Sequence, residues 1–194
     1  ISNTFSLFTK NFRLLLITLT FIFSANASAE TTQTSPYDIL ETAGDKLFGR
    51  ISANQAELEK FPGLMEKIVE EELMPYVDYR YAAYKILGKH LKNTTKEQRK
   101  KFVDSMQHYL VRTYAKALEQ YDGQEVVWEP ARSIEGKRIV GVNTKIIDPK
   151  RPTVHLTFKM RQNKKTKEWK AFDMVVEGIS LLQSKQSELT KRIA

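Results

Sequence analysis

Asp173 and Glu177 stand four residues apart in FDMVVEG, a stretch with the composition of a β-strand. A two-residue period places both carboxylates on one face. Two carboxylates on one face can act as general acid and base. A solvated strand face carries the same pattern, so the pair alone does not define a reaction. The three histidines are His90, His108 and His155, far apart in sequence. His108 falls about one residue off the apolar stripe of a helix, and His155 alternates onto the polar face of a strand, so all three read as surface or boundary groups. No glycine-rich phosphate loop, nucleophile elbow or His-Glu-x-x-His helix is present in the sequence. There are no cysteines, which removes thiol chemistry and Cys/His zinc sites from consideration.

The chain begins with a segment to be set aside. Lys10 and Arg13 form a basic region, Leu14 to Phe23 is an apolar run too short to span a bilayer comfortably, and Ala27-Ser28-Ala29 is a small-x-small cleavage site. Residues 1–29 are therefore expected to be a secretory signal peptide, with one domain at 30–194. Removing Lys10 and Arg13 takes the net charge from +8 to +6 (8 − 2). That modest excess suits acidic partners or anionic lipid and does not make the dense patch of a nucleic-acid binder. RQNKKTKE, with Lys164, Lys165 and Lys167, is a basic hairpin loop and a candidate contact for such surfaces.

The elements that must position any site follow from period and punctuation. Pro36 opens a first helix whose face is Ile39, Ala43, Leu47 and Ile51, flanked by Leu40 and Phe48. Pro62 starts a second, with Leu64, Ile68 and Leu73 or Met74 inward, and Pro75 ends or kinks it. Asp78 caps a third, stopped by Gly88. Thr94-Thr95-Lys96-Glu97 has the form of a capping box, read as Thr94 with Glu97. The helix after it carries Phe102, Met106, Tyr109, Leu110, Tyr114, Ala117 and Leu118 on one stripe and runs about 27 residues, roughly 40 Å. Beyond Gly123 the period becomes two, and four strands are expected at 125–129, 138–147, 153–162 and 168–177. Short turns make them an antiparallel meander with one wet face. Helices first, then a sheet, then a last helix is an α+β arrangement.

Apolar residues at the expected sheet–helix interface are numerous. The helices supply Leu73, Val77, Tyr81, Phe102, Met106, Tyr109, Leu110 and Tyr114. The strands supply Val140, Val142, Ile146, Leu156, Phe158, Met160, Phe172, Met174 and Val176, and Ile179, Leu181 and Leu182 follow. Such a surplus fits a filled core, and equally a cavity walled for a hydrophobic ligand. Met106, Met160 and Met174 suit an adaptable wall. Periodicity does not separate the two readings.

Four stretches carry a resemblance: IVEEELMPYVDYRYAAYKILG, QRKKFVDSMQHYLVRTYAKAL, IIDP and WKAFDMVVEGISLLQSKQSEL. Together they resemble the MlaC family of periplasmic phospholipid-binding proteins, also called the Ttg2D or toluene-tolerance family, over nearly all of 30–194. The aromatic-Asp-x-x-x-Glu-Gly-x-Ser block is the most specific part. The resemblance implies an NTF2-like α+β domain, with N-terminal helices cupped against a curved four-stranded antiparallel sheet and a C-terminal helix. It implies a deep cavity holding phospholipid acyl chains, with Leu73 to Leu182 of the set above, Leu181 apart, as its expected wall. It implies a shuttle between an outer-membrane lipoprotein–porin complex (MlaA-type) and an inner-membrane MCE-domain ABC transporter (MlaD-type ring), preserving outer-membrane lipid asymmetry. The expected protein is a monomer without catalytic residues, metal, cofactor or nucleic-acid partner. Two other classes stay open: a ligand-free periplasmic adaptor, and an NTF2-like isomerase or dehydratase using Asp173 or Tyr109.

Glu177-Gly178 is the sharpest local feature. Glycine lets the chain reverse without a Cβ clash, and Ser180 is placed to cap the last helix. The strand residues Phe172, Met174 and Val176 are then expected to face Ile179 and Leu182.

Overall fold

The computed structural model describes residues 34–193. The expected signal peptide, 1–29, lies outside these residues. Helix α1 (Pro36–Ala53) starts where the Ser35 hydroxyl accepts from Tyr37 N–H at 3.2 Å, with proline in the first turn. Leu40, Ala43, Leu47 and Ile51 are its buried face. A single turn, α2 (Gln55–Leu58), follows, then α3 (Leu64–Ile68).

The second expected helix is not uniform. After α3 the backbone widens into a π-helical turn over Val69–Leu73, with Met74 N–H donating to Val69 C=O, and tightens into a 3₁₀ turn over Met74–Tyr76. Pro75 lacks the N–H that a continuing α-helix needs. Arg50 of α1 pins the π turn through Glu71 and Glu72, both at 2.6 Å.

Asp78 caps α4 (Tyr79–Leu87), accepting from Tyr81 N–H at 3.0 Å, and Gly88 ends the helix at φ +49°. The Asp78 N–H donates to Ala171 C=O at 2.7 Å, which ties the helical layer to the sheet. A 3₁₀ turn (Gly88–Asn93) leads to α5 (Lys96–Leu118), 23 residues and about 34 Å long. Its capping box is Thr95 with Gln98, one residue later than expected. The Thr94 hydroxyl is already committed, donating to Leu91 C=O at 2.8 Å and accepting from Arg99. The helix stops at Leu118, shorter than the run expected from sequence.

Among the described residues five strands, one more than expected, form an open antiparallel meander in the order β1-β2-β3-β4-β5. They are β1 (Glu125–Trp128), β2 (Ile139–Asp148), β3 (Arg151–Gln162), β4 (Trp169–Val176) and β5 (Ile179–Ser180). The added strand exists because Glu177 (φ +47°) and Gly178 (φ +83°) make a two-residue hairpin turn, pairing Val176 with Ile179. Helix α6 (Leu181–Ile193) leaves β5 directly. Phe172 is the extra residue of a β-bulge, since Lys159 pairs with Asp173 while Met160 pairs with Ala171. The bulge shifts the alternation, so Trp169 and Ala171 are buried before it.

The core falls into three clusters. Leu47, Ile51, Ile68, Val69, Met74, Val111 and Ala115 join α1, α3, the π turn and α5. Leu40, Val140, Val142, Met160, Trp169 and Ala171 join α1 to the sheet. Ala82, Ile86 and Leu182 join α4 to α6. The buried face of α5 is Val103, Val111 and Ala115. The expected stripe of larger residues lies beside that face, only partly buried.

A cavity between the core clusters

Between the three clusters lies a cavity of about 590 Å³, within the range of roughly 300–1,000 Å³ typical of ligand sites. Helix α5 contributes Met106, Tyr109, Leu110 and Tyr114, and the segment before α4 contributes Leu73 and Val77. The sheet contributes Ile146, Leu156, Phe158, Phe172, Met174 and Val176, and α6 contributes Leu182. All of these belong to the sequence-derived set. The residues on β2, β3 and β4 point in together because the register pairs Ile146 with Val154, Phe158 with Met174 and Leu156 with Val176.

Six residues of that set lie elsewhere. Val140, Val142 and Met160 face inward but fill the cluster against α1, where Leu40, Trp169 and Ala171 close over them. Phe102 packs on Ala82, Ile86 and Leu182. Tyr81 stands edge-on to Phe172, ring centroids 5.2 Å apart at 88°, with the Arg161 guanidinium 4.1 Å from its own ring. Arg161 in turn pairs with Asp78. Ile179 is 63% exposed, because the hairpin turn puts it at the tip of an edge strand, and only Leu182 of the expected pair turns inward.

Sequence reasoning missed the wall that α1 provides: Leu40, Ala43, Gly44, Leu47 and Phe48, with Tyr121 and Trp128 opposite. The signal was the period-four face of α1, which serves cluster and cavity at once. Gly44 is required there. A Cβ on it would come within 2.7 Å of Trp128 Cζ2, and the Trp128 ring continues the wall, 6.1 Å from Phe158.

Polar groups reach the cavity in two places. Gln124, Asp148 and Arg151 lie by the β2–β3 turn, and Tyr109, Ser184 and Lys185 lie between α5 and α6. The Tyr114 phenol is pushed up to about 12, first by burial, then by the charge of Asp173 and by Tyr109. It stays neutral and protonated at physiological pH.

The two carboxylates singled out from sequence do not act as a pair. Asp173 is buried, and each oxygen is occupied: Oδ1 accepts from Leu182 N–H at 3.1 Å, and Oδ2 accepts from the Ser180 hydroxyl at 2.7 Å and meets Lys159 at 3.1 Å. The Ser180 hydroxyl also accepts from Gln183 N–H at 3.1 Å. Asp173 and Ser180 together cap α6. The Glu177 carboxylate is held at the hairpin, accepting from His155 N–H at 2.6 Å. His108 and His155 are exposed, and His90 sits in the 3₁₀ turn before α5. Among the described residues no cluster of His, Asp and Glu could hold a metal, and no helix is long and apolar enough to cross a membrane. The basic hairpin loop joins β3 to β4 and contributes nothing to the cavity lining.

Fold and site define a class: an α+β domain whose helices and antiparallel sheet are held apart by a large, apolar cavity. Within that class the chain belongs to the MlaC family, whose model, described as "MlaC protein", matches residues 41–194. It is 36% identical over 176 residues to the Haemophilus influenzae intermembrane phospholipid transport system binding protein MlaC, covering 90% of this chain and 81% of that protein. It is 25% identical over 148 residues to the toluene tolerance protein ttg2D of Pseudomonas putida, covering 76% and 67%. Among solved structures, a phospholipid-binding protein from Ralstonia solanacearum in complex with a phospholipid shares the fold. Its TM-score is 0.73 at 20% identity, with 81% of this chain and 87% of that one covered.

Proposed function

We propose that this chain is a periplasmic phospholipid carrier. It holds acyl chains in the cavity and passes the lipid between an outer-membrane lipoprotein–porin complex of the MlaA type and an inner-membrane MCE-domain ABC transporter with an MlaD-type ring. In doing so it maintains the lipid asymmetry of the outer membrane. It acts as a monomer exported by signal peptide 1–29, it binds rather than transforms its cargo, and it uses no cofactor. The observation that carries this reading is the apolar cavity of about 590 Å³ in a member of the MlaC family. The names of the Haemophilus and Ralstonia proteins support the same cargo.

Burial of about 30 methylene groups from two acyl chains is worth roughly 20 kcal/mol or more. Most of that is already realised in a bilayer, so the carrier has only to match the membrane. Release into water is then very slow, and the lipid should survive purification. The open volume favours a carrier over an adaptor with a filled core. The use of Asp173 as a helix anchor favours it over an acid–base enzyme. Organic extraction of purified protein followed by lipid mass spectrometry should yield phospholipid in near-stoichiometric amount. A folded protein that carries none would restore the adaptor reading.

A further inference from the structure

The described residues include a small number of large hydrophobic side chains exposed to solvent, and two of them, Tyr109 at 39% and Leu181 at 37%, also line the cavity. An apolar wall residue meets water where the wall stops, so these two mark an opening between α5 and α6. The packing agrees, because α6 rests mainly on α4 and β4. Phe102 and Met106 of α5 pack on the cluster that includes Leu182, and the Lys185 ammonium also crosses the seam, 4.7 Å from the centroid of the Tyr109 ring.

Lys185 is therefore a cation at the lip of an apolar cavity. Glu188 pairs with it at 2.8 Å from the same helix and is shared with Arg192, also at 2.8 Å, leaving the patch with one excess positive charge. Glu188 is not part of the cavity wall. Of the two carboxylates that are, Asp148 and Asp173, the second has both oxygens engaged by Leu182 N–H, Ser180 and Lys159. The group by the β2–β3 turn differs. There Arg151 comes with the Asp148 carboxylate at 3.6 Å, and both face the cavity. Asp148 is kept ionised by Lys150 N–H first of all, so an anion there meets a fixed negative charge beside the positive one.

We infer that the α5–α6 seam is the mouth of the cavity, and that Lys185, set by Tyr109, is the binding site for the phosphodiester of the bound phospholipid. This rests on the carrier reading and gives the cargo a direction: phosphate at Lys185, chains running toward Phe158 and Trp128. The ammonium rests on the tyrosine ring. A phosphate oxygen displaces that weaker contact and gains a charge-assisted hydrogen bond, with the Tyr109 hydroxyl available as a second donor.

Delipidated full-length protein is reloaded from dodecyl maltoside micelles containing either dioleoyl phosphatidylglycerol or dioleoylglycerol, which has the same chains and no phosphate. Wild type should retain the phospholipid about tenfold better. Lys185→Gln should lose most of that preference while still taking up dioleoylglycerol, and Tyr109→Phe should lose part of it. Circular dichroism melting confirms that each variant folds. Uptake of both lipids by wild type with no preference would overturn the inference and leave the carrier standing. Uptake of neither would sink the carrier itself. A larger loss in Arg151→Gln than in Lys185→Gln would move the mouth to the β2–β3 turn. Added excess inorganic phosphate should leave the preference unchanged, and abolition of it would reassign the cation to free phosphate.

Discussion

Phe158 occupies the middle of β3 on the cavity wall, opposite Met174 and close to Trp128. A carboxylate there would face acyl chains with no partner, at a cost of several kcal/mol. Phe158→Asp should fold and should co-purify with little or no phospholipid by mass spectrometry; normal retention would remove Phe158 from the wall. Tyr114 makes a second prediction through its proton. Its folded pKa, about 12, lies above the ordinary phenol value of about 10. A raised pKa means the folded state holds the proton more tightly. The associated stability is fully present below pH 10 and is lost as pH rises through 12, on the order of 2 kcal/mol. Denaturant melts of wild type and Tyr114→Phe should therefore differ by a constant below pH 10, and the wild type should weaken relative to the variant between pH 10 and 12. Parallel curves across that window would show that the phenol is not desolvated.

At the scale of elements, the β4–β5 hairpin and α6 form one device. Two residues with positive φ reverse the chain, Ser180 caps the helix, and the buried Asp173 carboxylate accepts from the first turn of α6 while pairing with Lys159. Asp173→Ala removes the carboxylate's contacts with Leu182 N–H, Ser180 and Lys159 and leaves Leu182 N–H buried without a partner. The expected cost is on the order of 3 kcal/mol, or a Tm lower by roughly 5–10 °C. An unchanged Tm would mean that α6 is held by Leu182 and its packing on α4 alone. The bulge at Phe172 belongs to the same device, since it lets Ala171 seal the α1 cluster while Met174 and Val176 turn to the cavity.

For the whole molecule, a core divided into three clusters implies that the empty protein gives up contacts a filled one would have. A ligand that binds only the folded state adds RT ln(1 + [L]/Kd) to its stability. Complete delipidation should lower the Tm by several degrees, and reloading with phospholipid should restore it. A Tm indifferent to lipid would place the cargo outside the folded core.

Much of this molecule is legible in one dimension. The period-four face of α1, the Asp78 cap, the Gly88 stop, the alternation Val154, Leu156, Phe158, Met160 and the Glu177-Gly178 reversal are set by local backbone chemistry, so sequence places them to within a residue or two. The MlaC resemblance was legible in the same way, as residue types in order. Tertiary structure decided what local chemistry leaves degenerate. Thr94 and Thr95 are both competent caps, and the bond from Thr94 to Leu91 selected the second. Val142 and Ile146 share one face of β2, yet α1 covers the first and the cavity lies under the second. Inward-facing side chains look alike in sequence whether they meet another side chain or empty space. The spacing of the layers opposite them, held off by Trp128 on Gly44 and by α6 on Asp173, is what separates wall from core.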